Sequence, residues 1–159
     1  LILIGKTFGH LEQSCYLKEN YSIINGKPPE VNLINEKNNG EAVLNLINLN
    51  LISSAHDISS GGLITALSEM SIGSNFGVKI KKPKKLTSLI EYFFGEDQSR
   101  YILEIKEKNL IKVEKILQSK NIYYEKIGFT QDNNFEIEGE MKISINDLFK
   151  VNNQWYNNY

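Results

Sequence analysis

The sequence is poor in the residues that staple or mark small proteins. It holds one cysteine, Cys15, among 159 residues. No internal disulfide can form and no cysteine cluster is available to a metal, which excludes a disulfide-framed secreted domain and fits a reducing compartment. An excess of charge of one sign is missing too. With 18 Lys plus Arg against 19 Asp plus Glu the formal net charge is -1, so no overall field draws in nucleic acid or an anionic membrane. No apolar run approaches the roughly 20 residues needed to cross a bilayer, and the N-terminus lacks the basic region, apolar core and small-residue cleavage site of a signal peptide. A cytoplasmic location is the expectation, with neither nucleic acid nor membrane as partner. Arginine is nearly absent: Arg100 is the only one, and every other cation is lysine. The abundance of Lys, Asn and Ile reads as the bias of an AT-rich genome rather than as disorder. Initiator Met is absent as well. The chain opens on Leu1 in an apolar run, which gives the expectation of a C-terminal fragment of a longer multidomain chain.

What is present is enough for a core. Of the residues 41% are apolar and 23% charged, the composition of one globular domain spanning 1–159, a length at which folding buries roughly two-thirds of the unfolded surface. Residues 1–4 form a continuous β-forming run closed by Gly5, the pattern of a buried strand. Residues 6–31, with Gly9, Gly26 and Pro28-Pro29, read as loop with a short helix at 12–19. Apolar residues at helical spacing predict a helix, or two interrupted near 38–40, over 31–50. A strand at 51–58, a helix at 61–71 with Leu63, Ala66, Leu67 and Met70 on one face, and a half-exposed strand at 76–82 follow. Then come a helix at 86–94, a strand at 100–105, a helix at 110–119 with Ile111, Val113, Ile116 and Leu117 inward, and a strand at 122–129. A hairpin, 135–137 with 141–143, and a helical turn at 146–149 close the pattern. The alternation predicts an α+β fold, a mixed sheet carrying helices, with a β-α-β crossover from 100 to 129.

The most informative stretch is Ala55-His56-Asp57-Ile58-Ser59-Ser60-Gly61-Gly62-Leu63, where a strand hands over to a helix. Ser59 or Ser60 is placed to cap that helix, and Gly61 and Gly62 to leave its first backbone N–H groups uncovered. Unpaired donors and the helix dipole make such an end an anion site, and glycine lets a phosphate approach. Asp57 supplies a hard oxygen of the kind Mg²⁺ uses when it also holds substrate phosphates. The plainer reading stands beside it: a Ser cap, turn glycines and an Asp at a strand end are ordinary punctuation. His56 reads as a structural hydrogen-bonding histidine; a general base would need a partner the sequence does not name.

A second junction, Phe94-Gly95-Glu96-Asp97-Gln98-Ser99-Arg100, sets two carboxylates, an amide and the lone guanidinium in five residues. Arginine's planar fork binds carboxylate or phosphate through two parallel contacts that lysine does not reproduce. Glu96, Asp97, Gln98 and Arg100 are therefore candidates for a substrate-type loop, and a local ion pair of Arg100 with Glu96 or Asp97 is the structural alternative. Lys79, Lys81, Lys82, Lys84 and Lys85 read as a lysine-protected strand edge rather than a nucleic-acid patch. Cys15 reads as a small buried apolar residue, and the Trp155-Tyr156 tail as a docking segment.

Taken together, the two junctions, with Ala66-Leu67-Ser68-Glu69-Met70, the opening Leu3-Ile4-Gly5-Lys6-Thr7 and Ser14-Cys15-Tyr16-Leu17, resemble the C-terminal domain of the synthetase subunit (PurL) of the phosphoribosylformylglycinamidine synthase family. The His-Asp-x-Ser-x-Gly-Gly form of the first junction, the Glu-Asp-Gln-Ser-Arg form of the second and the Trp/Tyr tail resemble the second of that subunit's two copies. The resemblance implies a PurM C-terminal-domain-like α/β/α sandwich with partial ferredoxin-like topology. It implies an ATP-dependent ligase that converts formylglycinamide ribonucleotide to its amidine in purine synthesis, with ammonia from a glutaminase (PurQ) and a small bridging subunit (PurS) as partners. By resemblance Asp57 is a Mg²⁺ ligand and Ser59 contacts ATP or ADP; Ser60, Gly61 and Gly62 join that nucleotide site as the helix end described above. The family's catalytic histidine and most ATP contacts lie in N-terminal domains, so no catalytic residue is expected here and the isolated domain is expected to be inactive. Two alternatives remain: a non-catalytic nucleotide-binding or assembly module, and the matching domain of a related enzyme such as AIR synthetase, selenophosphate synthetase or thiamine monophosphate kinase.

Overall fold

A computed structural model describes residues 1–83, 88–154 and 156. Its first strand, β1 (Ile2–Ile4), is apolar at every position because both of its faces are covered. Ile2 and Ile4 pack with Ala42, Leu46, Val113 and Leu117, whereas Leu3 packs on the other side with Leu63, Leu67, Ile102 and Phe135. All three are at most 1% exposed. Full burial of such a side chain is worth about 1.5–3 kcal/mol, which is what a run without polar alternation reports.

After β1 come α1 (Cys15–Tyr21), α2 (Leu33–Asn48), β2 (Ser54–Asp57), α3 (Gly62–Ser74), β3 (Gly77–Ile80) and α4 (Leu89–Phe94). The chain continues through β4 (Tyr101–Glu104), α5 (Glu107–Ser119), β5 (Tyr124–Lys126), β6 (Gly128–Gln131), β7 (Asn134–Ile137), β8 (Met141–Ser144) and α6 (Ile145–Asn153). The strands form two sheets, β2-β4-β1-β5 and β6-β3-β7-β8. In the first, every neighbouring pair is antiparallel. β4 and β5 therefore run parallel to each other with β1 between them and α5 as the crossover, and β1 and β2 run parallel with β4 between them and α2 as the crossover. That is the split β-α-β arrangement of a ferredoxin-like sheet, with α3, β3 and α4 inserted between β2 and β4. The second sheet is the mixed one, since β3 pairs parallel with β7 and antiparallel with β6.

Several expectations are corrected. The strand at 122–129 is two strands in different sheets: Ile127, only 2% exposed, turns the chain, and its N–H and C=O bond to Leu1 O at 3.2 Å and Lys81 N at 2.8 Å. α2 runs unbroken through 38–40, because the buried Asn39 donates its amide to Ser99 O at 2.8 Å and its helix is capped by Asn32. The early helix lies later than 12–19 and the closing one is longer than a turn. Ile111, expected inward, is 67% exposed. β3 is an inner strand rather than a lysine-protected edge. Its Lys79 meets Glu136 across the sheet at 2.9 Å, and just beyond the strand Lys82 pairs with Glu140. Lys84, Lys85 and the start of the helix expected at 86–94 lie outside the described residues, as do Trp155 and residues 157–159 of the tail. Among the described residues no helix is long and apolar enough to cross a membrane.

Candidate functional site

Sheet register brings the two junctions together. The β2–β4 ladder ends with Asp57 opposite Tyr101, and Ile58 N then donates to Arg100 O at 2.9 Å. Contact continues at Gly62, where φ is +72° and a Cβ would lie 2.7–2.8 Å from backbone atoms of Phe93, Phe94 and Gly95. Only glycine fits so close to a second backbone at that φ.

The start of α3 differs from the expectation. Its N-cap is Gly61, in the left-handed region, and no serine side chain caps it. Ser59 Oγ instead donates to Asp57 Oδ2 at 2.6 Å. The first amides are not uncovered either: Gly62 N bonds to Ser59 O at 3.1 Å, and Gly61 N donates to Glu96 Oε1 at 2.8 Å. A carboxylate from the second junction thus sits where the helix dipole favours negative charge. The same oxygen accepts from Cys15 N at 2.7 Å, at the start of α1. Cys15 is exposed, not buried.

Asp97 is 5% exposed and its carboxylate takes three backbone donors from the opening loop, Phe8 N and Gly9 N at 2.9 Å and His10 N at 3.2 Å. Arg100, 1% exposed, donates to Asp97 O at 3.0 Å, to Thr7 Oγ1 at 3.2 Å and to Gly95 O. Among the described residues it forms no ion pair, so the local pairing with Glu96 or Asp97 is replaced by a clasp on backbone carbonyls. Burial lowers its pKa, and the Asp97 charge opposes that shift. Gln98 is exposed and, with Ser99, borders a cleft of about 1070 Å³ whose other walls include Lys6, His10, Asn35 and Asn38.

Asp57 and Ser59 stay at the surface, as does Ser60. The Ser59 hydroxyl bond holds the Asp57 carboxyl below its ordinary pKa, with slight burial acting the other way. One ionised oxygen donor suits a Mg²⁺ ion that keeps water and phosphate ligands, not a cage made by the protein alone. No group of three or more His, Cys, Asp or Glu side chains able to hold a metal occurs among the described residues. His56 has partners that sequence reasoning missed: its ring meets Asp57 O at 2.6 Å through Nδ1 and Glu69 Oε2 at 3.4 Å through Nε2. Also unforeseen was the turn at 7–10, for which Gly9, at φ +81°, was the available signal.

A ferredoxin-like sheet joined to a second mixed sheet, with two conjoined loops at the mouth of the first, defines an α+β domain of the PurM C-terminal type. The model of the AIR synthase related protein, C-terminal domain, matches residues 1–139, and the chain belongs to that family. Over all 159 residues it is 47% identical to phosphoribosylformylglycinamidine synthase subunit PurL of Pelagibacter ubique (strain HTCC1062) and 36% identical to the same subunit of Rhodopseudomonas palustris (strain HaA2). In each case it covers 100% of this chain and 22% of the relative, so the chain spans about a fifth of those proteins. In fold it is similar to T. maritima PurL complexed with FGAR, with TM-score 0.76 and 16% identity over 93% of this chain and 27% of that one. T. maritima PurL complexed with ATP and the structure of PurLQS from Thermotoga maritima give TM-scores of 0.69 and 0.67, at 16% and 19% identity, over 93% of this chain and 25% of theirs.

Proposed function

We propose that this chain serves as the C-terminal domain of the second copy in a PurL-type subunit. Within the intact subunit it contributes to an ATP-dependent carbon–nitrogen ligase that converts formylglycinamide ribonucleotide to its amidine, with glutamine as the ultimate amide donor. The observation that carries this reading is the 47% identity to a PurL subunit over the chain's full length. A cytoplasmic location, and assembly with a PurQ-type glutaminase and a PurS-type bridging subunit, belong to the same reading. A related protein described as PurLQS supports the partners.

In this reading the chain's own residues hold and orient; they do not react. Asp57, kept ionised by Ser59, is the residue that would hold Mg²⁺, and the ion would screen the charge of nucleotide phosphates. Ser59 fixes the carboxylate and, with Ser60, would meet the nucleotide. Gly61 and Gly62 act differently from a free phosphate cradle, since their amides are already bonded to Glu96 and Ser59. The substrate-type loop divides as well: Glu96, Asp97 and Arg100 clasp backbone from partly or fully buried positions, whereas Gln98 is exposed and, though its Nε2 donates to Glu96 O at 3.4 Å, would present its amide oxygen to a ligand.

Replacing Asp57 and Ser59 together by Ala in the full-length subunit is expected to remove nucleotide retained in the presence of Mg²⁺, measured after desalting; retention and melting temperature equal to wild type would refute the assignment. The isolated chain, given ATP, Mg²⁺, substrate and ammonia, is expected to form no amidine. Turnover by it would show that the chemistry needs no other domain.

A further inference from the structure

The chain contains two Asn-Gly pairs, Asn25-Gly26 and Asn39-Gly40, and the fold treats them oppositely. In such a pair the asparagine side chain reacts readily with its own backbone, because the glycine that follows has no Cβ to shield the attacking nitrogen. Asn39-Gly40 is closed to that reaction. It lies in the middle of α2, with Asn39 only 8% exposed, its amide donated to Ser99 O at 2.8 Å and the Gly40 nitrogen part of the helical ladder. Ring closure there would require the helix to open first. Asn25-Gly26 is in the opposite state. Both residues are exposed, between α1 and α2, in a stretch with neither helix nor strand. Among the described residues neither the Asn25 carboxamide nor the Gly26 N–H makes a hydrogen bond, so no bond has to break before the two meet.

The residues that follow are anchored. Gln13 Nε2 donates to Gly26 O at 2.6 Å, Lys27 N donates to Glu12 Oε2 at 2.6 Å, and the His10 ring meets Lys27 O at 2.9 Å through Nε2. These bonds strap Gly26 and Lys27 onto the segment 10–13, and His10, Glu12 and Lys27 line the cleft that Gln98 borders. Gly26, at φ +101°, lies against the Glu12 side chain.

We propose that Asn25 is a self-modifying site that converts a neutral carboxamide to a carboxylate and so loosens this strap. The Gly26 nitrogen attacks Asn25 Cγ, the new N–Cγ bond replaces the Cγ–Nδ2 bond, and ammonia leaves with the proton that Gly26 gave up. Water then opens the five-membered imide at either carbonyl, giving aspartate or isoaspartate. Either product adds a negative charge one residue from the contact of Gly26 with Glu12, and isoaspartate also lengthens the main chain by one carbon there. Repulsion and the added carbon both act against the bonds that hold Gly26 and Lys27 in place.

The test uses the full-length protein that carries this chain, kept under native, mildly alkaline conditions and followed over time by peptide mass mapping. The peptide with Asn25 is expected to gain the mass difference between Asp and Asn at least about ten times faster than the peptide with Asn39, which reacts only through local opening of α2. Asn25→Gln is expected to remove that gain. In modified protein separated by ion exchange, the Lys27 amide is expected to exchange its hydrogen at least about ten times faster than in unmodified protein. The proposal is overturned if Asn25 gains no mass or Asn39 reacts as fast in the native protein, and the loosening of the strap is overturned if exchange at Lys27 is unchanged.

Discussion

At the scale of the residue, Arg100 shows why a charged side chain in a loop is a poor guide to its task. The fork that would suit a phosphate is turned inward and spent on Gly95 O, Asp97 O and Thr7 Oγ1. Removing it leaves two buried carbonyls without donors, so Arg100→Ala is expected to cost about 3 kcal/mol. Arg100→Lys is expected to lose a large part of the same energy, because an ammonium has no fork to span the three acceptors. Chemical denaturation of the full-length protein measures both; a lysine variant as stable as wild type would mean that charge alone, not geometry, matters there. Legibility in the sequence was uneven at this scale. The strand-to-helix junction, the glycines and the polar loop could be read from residue types, since turn and cap chemistry is local. That Glu96 would occupy the end of α3, that Arg100 would avoid its carboxylate neighbours and that His56 would meet Glu69 could not, because each depends on a contact made only when distant segments dock.

At the scale of the element, the two glycines at opposite ends of α3 answer to different constraints. Gly62 packs against the backbone of 93–95 at positive φ, whereas Gly73 faces open space in helical conformation. Gly62→Ala is expected to destabilise by about 2 kcal/mol or more, combining left-handed strain with a backbone clash. Gly73→Ala is expected to stabilise by about 0.5–1 kcal/mol, the ordinary gain of alanine over glycine in a helix. Thermal melts of the pair decide the matter, and equal effects would contradict the packing described. Elements were recovered well wherever periodicity was strong, as along α3 with Leu63, Ala66 and Leu67 inward. They were misread where one apolar run served two masters: in the stretch from Ile122 to Phe129 the only punctuation is Gly128, and beside it the buried Ile127 passes the chain from one sheet to the other.

At the scale of the whole molecule, stability at high pH rests on phenols near Glu125. Tyr123 donates to Glu125 Oε1 at 2.5 Å, and the pKa of its hydroxyl is pushed up to about 12 by that bond. Tyr92, 1% exposed, is raised as well, chiefly by burial and then by the Glu125 charge. A phenol whose pKa is higher folded than unfolded contributes stability that is fully present below the unfolded value, about 10, and is lost as pH rises through the folded value. Unfolding free energy is therefore expected to fall from about pH 10 upward, and Tyr92→Phe to reduce that fall; a flat profile to pH 12 would count against the shifts. The central place of β1 has a consequence for how such a chain is made. Its Ile2 pairs with Leu103 on one side and Lys126 on the other, so this strand leaves the ribosome well before either of its partners. At synthesis rates of about 5–20 residues per second, an apolar segment waits on the order of ten seconds without a sheet to join. For that interval it depends on a chaperone or on neighbouring nascent structure for shelter.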